Sequence, residues 1–173
     1  MTSAGTRVQQ PVDARSMRNA MGAFPSGVTV VTTRLGDRPI GMTISSFASV
    51  SIDPPLLLLC VARSAGSLPA FRMQSSVAIN VLAHHQADVA RRFASKVEDR
   101  FDGVQFDTDD GGCPVLAGAA ASVSGLVDRI YDAGDHVILL VRVCAARRRG
   151  ILPLLYYSGR MHDWADTVDS VAS

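Results

Sequence analysis

Residues 41–53 read GMTISSFASVSID, and Pro54 and Pro55 follow. The even positions Met42, Ile44, Ala48, Val50 and Ile52 are apolar, with Ser46 the exception. The odd positions Thr43, Ser45, Ser49 and Ser51 carry hydroxyls, interrupted by Phe47. Period-two alternation predicts a β-strand with one buried face. The other face holds only short uncharged donors and acceptors, where an ordinary solvent face also carries Lys, Glu or Arg. It is therefore either a plain exposed face or a wall against something polar and uncharged.

Upstream, VTVVTT (28–33) is rich in β-branched residues and LGDRP (35–39) is a turn, so 41–53 forms the second half of a hairpin. Downstream, LLLLCVA (56–62) is a short apolar run bounded by prolines, which predicts a buried strand. Further strands are expected at VAINVLA (77–83), SVSGLVDRIYD (122–132), HVILLVRVCAAR (136–147) and LLYYSGRMH (154–162), with a turn-rich segment over 102–118. Helices are expected over Ala14–Ala23, with Met17, Ala20 and Met21 on one side, and over 86–95, with Val89, Ala90, Phe93 and Ala94 on one face. Ser67 heads a short helix running to Met73, with Pro69 in its first turn. Numerous contiguous strands joined by short turns favour an antiparallel sheet closed into a barrel, with two or three helices at its rim. The chain divides into a flexible segment 1–13, one domain over 14–164 and a flexible tail 165–173.

The composition narrows the function. The 173 residues are 47% hydrophobic and 19% charged, which fits a single globular domain. A net charge of +1 gives no reason to expect nucleic acid as a partner. No apolar run approaches the ~18–20 residues of a membrane span, and MTSAGTRVQQPVD lacks the apolar core of a secretory signal. Cys60, Cys113 and Cys144 lack CxxC spacing, which points to reduced thiols and a cytoplasmic protein. The sequence contains no GxGxxG, no P-loop and no GxSxG elbow. Adjacent His84 and His85 make a poor metal pair, Arg147–Arg149 reads as a solvated strand end, and Asp109-Asp110-Gly111-Gly112 reads as a turn. The remaining polar residues are the hydroxyl face, Ser64, Ser67, Asn80, Arg100, Gly134-Asp135-His136, Tyr156 and Arg160. No hydrolytic mechanism unites them, and a site of this kind suits a bound molecule that brings its own chemistry.

The blocks RNAMGAFPSGVTVVTT, GMTISSFASVSIDPP, AINVLAHHQADVARRFASKVEDRFDGV, GCPVL, GDHVILLVRV and PLLYYSGR, running from Arg18 to Trp164, resemble the flavin reductase-like domain. More narrowly, they are similar to the short-chain reductase components of two-component flavin-dependent monooxygenases. The resemblance implies an FMN-binding split β-barrel, mainly antiparallel β with a few peripheral helices, normally a homodimer. It implies hydride transfer from NADH or NADPH to FMN or FAD, with the reduced flavin diffusing to a separate monooxygenase. A non-catalytic flavin carrier on the same barrel is the alternative. A pyridoxamine-phosphate-oxidase-like enzyme shares the architecture but calls for a more basic phosphate site.

Position by position, the resemblance implies that Thr43, Ser45, Ser46, Ser49, Val50 and Ser51 line the flavin ring and ribityl chain, much of it through backbone. Pro25, Ser26 and Gly27 lie nearby. Ser64 and Ser67 fall where the phosphate binds, Arg100 and Phe101 supply charge and stacking, and His136 meets the nicotinamide, with Tyr156 and Arg160 completing that side. Simpler roles stand beside these: Arg100 pairing with Glu98 or Asp99, His136 capping a hairpin, and Asn80 satisfying a rim backbone group. The chain departs from the family at Gly125, where members often carry Cys, and at Met161, where they often carry an aromatic.

Overall fold

Residues 11–163 are described by the computed structural model. The tail 165–173, Trp164 and residues 1–10 of the expected flexible segment lie outside the described residues. Helix α1 (Ala14–Gly22) begins at Asp13, whose carboxylate accepts hydrogen bonds from the N–H groups of Arg15 and Ser16. That cap satisfies donors that have no partner within the helix. Phe24-Pro25 then ends the helix, and β1 (Ser26–Gly27) follows.

Strands β2 (Thr29–Leu35) and β3 (Arg38–Ile44) form the expected hairpin, with Thr29 opposite Ile44 and Leu35 opposite Arg38. The stretch 41–53 is not one strand. It breaks at Ser45-Ser46, and β4 (Phe47–Ser51) runs on from the corner. Inward-facing parity breaks with it. Met42 and Ile44 are buried as expected, but beyond the corner Phe47 packs on the core while Ala48 is exposed, Val50 is 49% exposed and Ile52 is 90% exposed. Alternation holds only while one strand keeps one orientation, and the corner turns the chain.

The remaining elements are β5 (Leu56–Ala62), a single 3-10 turn (Leu68–Ala70), β6 (Ser76–Val81), helix α2 (Ala87–Ala94), β7 (Phe106–Thr108), β8 (Pro114–Leu116), β9 (Ala121–Ala133), β10 (His136–Arg148), β11 (Leu155–Tyr157) and β12 (Arg160–His162). The helix expected from Ser67 to Met73 is thus one turn, and 154–162 is a hairpin rather than one strand. Strands β9 and β10 join through Gly134-Asp135; Gly134 takes φ +63°, which a two-residue hairpin loop demands and glycine adopts freely.

The main sheet is antiparallel throughout, in the order β3-β2-β6-β9-β10-β5-β4. Its two edges are β3 and β4, consecutive strands that do not pair with each other. The ring of hydrogen bonds is therefore not closed, and the barrel is split where the chain crosses at Ser45-Ser46. Pro39 in β3 fits this reading, because a strand interior tolerates proline only at an edge.

Inside the curl lies a core of Val31, Ile44, Leu59, Ile79, Val127 and Leu139, all buried. A second core packs α2 against the outside of the sheet through Ala90, Phe93, Phe101, Leu82 and Leu154. Buried polar groups on β2 and β6 are satisfied. The Thr29 hydroxyl donates to Ile44 O at 2.7 Å, and the Asn80 amide donates to Val30 O and accepts from Leu116 N–H at 2.8 Å. Asn80 is therefore a backbone tie, the simpler of its two expected roles. No helix among the described residues is long and apolar enough to cross a membrane.

Candidate flavin site

Two clefts flank β3. The first, of about 930 Å³, opens beyond the end of β3, between the corner, the outer face of β5, the end of α1 and the β11–β12 turn. Ser45, Ser46, Ala48, Leu58, Cys60, Ser26 and Tyr156 line it. The Ser46 hydroxyl is committed to Cys60 O at 2.8 Å, and Ser46 O accepts from Cys60 N–H at 3.1 Å, so this serine extends the ladder from β4. Ser45 lines the cleft and is exposed. Strand β4 has a neighbour on one side only, so backbone groups of its other edge are free to bind a polar ligand. Ser49 and Ser51 lie on this strand, and the register shift between them makes Val50 a bulge.

Thr43 does not line this cleft. Its hydroxyl donates to Ala90 O at 2.7 Å and ties β3 to α2. Pro25 and Gly27 flank Ser26 but are not among the lining residues, and exposed Arg160 on β12 is likewise outside it. Arg18, Asn19, Ser158 and Gly159 line it without any sequence signal to mark them; they arrive through the fold, Ser158 N–H bonding Gly22 O at 3.0 Å to bring the β11–β12 turn onto α1.

The second cleft, of about 660 Å³, lies at the start of β3 and is lined by Arg38, Gly41, Gly66, Ser67, Glu98, Asp99, Arg100, Phe101 and Asp102, among others. Ser67 and Arg100, far apart in sequence, meet here: Arg100 Nη1 donates to Ser67 Oγ at 3.1 Å and to Gly41 O at 2.8 Å. Its Nε and Nη2 donate to Ser95 O at 3.1 and 2.8 Å. The expected simple pairing of Arg100 with Glu98 or Asp99 does not occur, and no carboxylate among the described residues forms an ion pair with it. The Ser67 side chain makes no helix-capping bond, and its hydroxyl accepts from Arg100 instead. Ser64 is exposed in the same turn and lines neither cleft. Phe101 is only 8% exposed, its ring held edge-on by Phe93 at 4.9 Å and Phe106 at 5.2 Å; it is core before it is a stacking surface.

From Gly41 to Ser45 is four residues of extended chain, about 13 Å at the rise of a β-strand. The second cleft sets the Arg38 and Arg100 guanidiniums beside the carboxylate-bearing residues Glu98, Asp99 and Asp102.

Residues 21–165 match the family described as the flavin reductase like domain. The chain belongs to that family. A probable flavin reductase of Rhizobium meliloti (strain 1021) is 45% identical over 148 residues, which is 85% of this chain and 48% of that protein. The chain thus spans about half the length of that relative. The reductase subunit HsaB of a flavin-dependent monooxygenase from Mycobacterium tuberculosis (strain ATCC 25618 / H37Rv) is 36% identical over 154 residues, 86% of this chain and 81% of the subunit. Among solved structures, the NADH:FAD oxidoreductase SgcE6 of Streptomyces globisporus C-1027, in complex with NAD and FAD fragments, superposes with a TM-score of 0.81 at 38% identity, covering 89% of this chain and 96% of that one.

For a flavin reductase-like chain, the G-D-H corner lies in an informative place. His136 stands opposite Ala62 on β5, one side-chain pair along the same sheet face from Cys60 in the first cleft. Its Nδ1 lies 2.7 Å from Asp135 Oδ1, and that hydrogen bond holds the Asp135 carboxyl below its usual value. His136 is half-exposed, with Nδ1 held by Asp135 at the hairpin corner.

Proposed function

We propose that this chain is an NAD(P)H:flavin oxidoreductase that reduces FAD or FMN and passes the reduced flavin to a separate flavin-dependent monooxygenase. The observation that carries the reading is Arg100: a half-buried guanidinium whose hydrogen-bond partners are all neutral oxygens, beside an open cleft. A charge withdrawn from water calls for a counter-charge, and the phosphate of a flavin nucleotide supplies one in a form that arginine binds well. The first cleft, with Arg18 as its one charged lining residue, and the free edge of β4 suit the carbonyl-rich edge of the ring.

When bound, flavin supplies a ring that accepts a hydride, so the protein's task is positioning rather than acid–base chemistry. Ser45, Ser46 and the β4 residues Ser49, Val50 and Ser51 hold the ring edge, while Ser26 and Tyr156 form the facing wall, with Pro25 and Gly27 flanking Ser26. Ser67 and Arg100 serve the phosphate end. His136, with Arg160, meets the nicotinamide of NADH or NADPH. The names of the relatives support both the reduction and the monooxygenase partner. The free thiols of Cys60, Cys113 and Cys144 fit a reducing cytoplasm.

The working unit is a homodimer. The outer face of β5 and β10 presents Leu58, Cys60, Ile138 and Leu140 only half-covered, with Tyr131 45% exposed beside them. Helix α1 buries no residue and leaves Met17 and Met21 uncovered, and Phe24 just beyond it is 76% exposed. Apolar side chains left uncovered in this way are covered most economically by a second copy, which would also wall the first cleft, lined by Met21, Phe24, Leu58 and Cys60. Light scattering tests it, and a monomer refutes it.

The test of function mixes the purified chain with NADH or NADPH and FAD or FMN and follows the nicotinamide absorbance. Oxidation with at least one pairing is expected; none with any pairing defeats the proposal.

A further inference from the structure

We infer that Arg92, a residue of α2 that lines neither cleft, is a positioning residue for the flavin phosphate and acts through Arg100; the inference rests on the reading of Arg100 given above. Arg92 Nε donates to Arg100 O at 3.0 Å, and its Nη2 donates to Asp99 O at 3.0 Å and to Asp102 Oδ2 at 3.2 Å. One guanidinium therefore fixes three acceptors on a single loop, a task suited to its rigid fork of donors. The same helix turn grips Arg100 a second time. Ser95 O accepts both Nε and Nη2 of Arg100, and Ser95 Oγ donates to Arg92 O at 2.7 Å. Backbone and guanidinium of Arg100 are thus held from one helix end, and Nη1 is delivered to Ser67 and Gly41.

The clamp is also electrostatic. Asp102 lines the phosphate-side cleft, and Arg92 is its ion-pair partner. Without Arg92 the loop loses three hydrogen bonds, and Asp102 joins Glu98 and Asp99 as carboxylates lining that cleft without an ion-pair partner among the described residues. Both consequences fall on a phosphorylated ligand and spare one that lacks phosphate.

A purely structural Arg92 would behave differently, since loosening α2 would weaken every flavin alike. The experiment measures dissociation constants by quenching of flavin fluorescence, with FMN and with riboflavin, for wild type, Arg92→Met, Arg92→Lys, Arg100→Met and the Arg92→Met/Arg100→Met pair. Loss of a charge-assisted phosphate contact weakens binding about tenfold. Arg92→Met is expected to weaken FMN about that much while riboflavin changes less than twofold. Arg92→Lys falls between, and the double variant binds FMN no worse than Arg100→Met alone. Equal weakening of both flavins, or additive losses in the double variant, overturns the inference. So does an Arg100→Met variant without phosphate selectivity, or a wild type that binds neither flavin. If Arg92→Met does not fold, Arg92→Lys carries the comparison. Oxidation of NADH or NADPH with FAD or FMN on the same wild-type preparation separates the two readings: turnover without phosphate selectivity in the variants refutes Arg92's role alone, and no turnover with any pairing refutes the proposed function.

Discussion

The hydroxyl of Thr43 donates to the backbone carbonyl of Ala90 at 2.7 Å, joining the edge strand β3 to helix α2. On sequence parity Thr43 belongs to the hydroxyl wall; in the fold it is a tether for the helix that carries Arg92. Thr43→Val keeps the shape and leaves the carbonyl without that donor. The expected cost is about 0.5–1.5 kcal/mol for one lost hydrogen bond, which lowers the melting temperature by roughly 2–4 °C per kcal/mol in a chain of this size. The Michaelis constant for flavin should stay within about twofold, as for a residue outside the contact surface. Thermal melts and steady-state kinetics on one preparation check both halves.

His136 is expected to act on the nicotinamide rather than on flavin. It stands on the sheet face of the first cleft, held by Asp135 at 2.7 Å. His136→Ala should raise the Michaelis constant for NADH about tenfold, the scale of one lost hydrogen bond to a charged group, and leave that for flavin nearly unchanged. Equal changes in both would remove His136 from the nicotinamide side. The measurement is a kinetic matrix varying each substrate at saturation of the other.

Gly125 marks a place where this hairpin is closed more tightly than one bearing a side chain. A Cβ there would lie 2.2 Å from Arg142 O and 2.9 Å from Val141 Cγ1, beside the register shift between Val143 and Ala145. Backbone cannot yield as a side-chain tip does, so Gly125→Ala should cost at least the roughly 1–3 kcal/mol of an overpacked core. Gly41→Ala meets the Phe93 ring at 2.6 Å and should cost a similar amount. Urea unfolding midpoints of the two variants measure this directly.

Much of the fold was legible because its signals are local. The hairpin at 28–44, the buried run 56–62, and the long β9–β10 pair all follow from β-branched alternation and turn residues. The break at Ser45-Ser46 was not, since a two-residue corner leaves the alternation of residue types intact and changes only which side faces inward. The same limit applies to the site. Ser67 and Arg100 could be named individually, yet their contact across 33 positions is a tertiary fact. Thr43 and Phe101 have side chains suited to either a ligand or a neighbour, and packing against α2 decided for the neighbour. Arg92 carries no motif at all; only its three acceptors on one loop reveal it.

Cys113 should be the protected thiol. It is buried beneath the Asp109 turn, where desolvation first and the Asp109 charge second push its thiol up from 9.0 to about 12. The folded state thus favours the neutral thiol. Its contribution to stability is complete below about pH 9, the unfolded value, and is lost as pH rises from there toward about 12. Cys144, exposed on β10, has no such shelter. With a chromogenic disulfide reagent at pH 8, Cys144 should react fast, half-buried Cys60 more slowly, and Cys113 only on unfolding. Cys113→Ala should flatten the decline of unfolding free energy between pH 9 and about 11 relative to wild type. Parallel declines in the two proteins would show that other groups govern alkaline unfolding, and rapid labelling of Cys113 in the native state would show that the Asp109 turn opens.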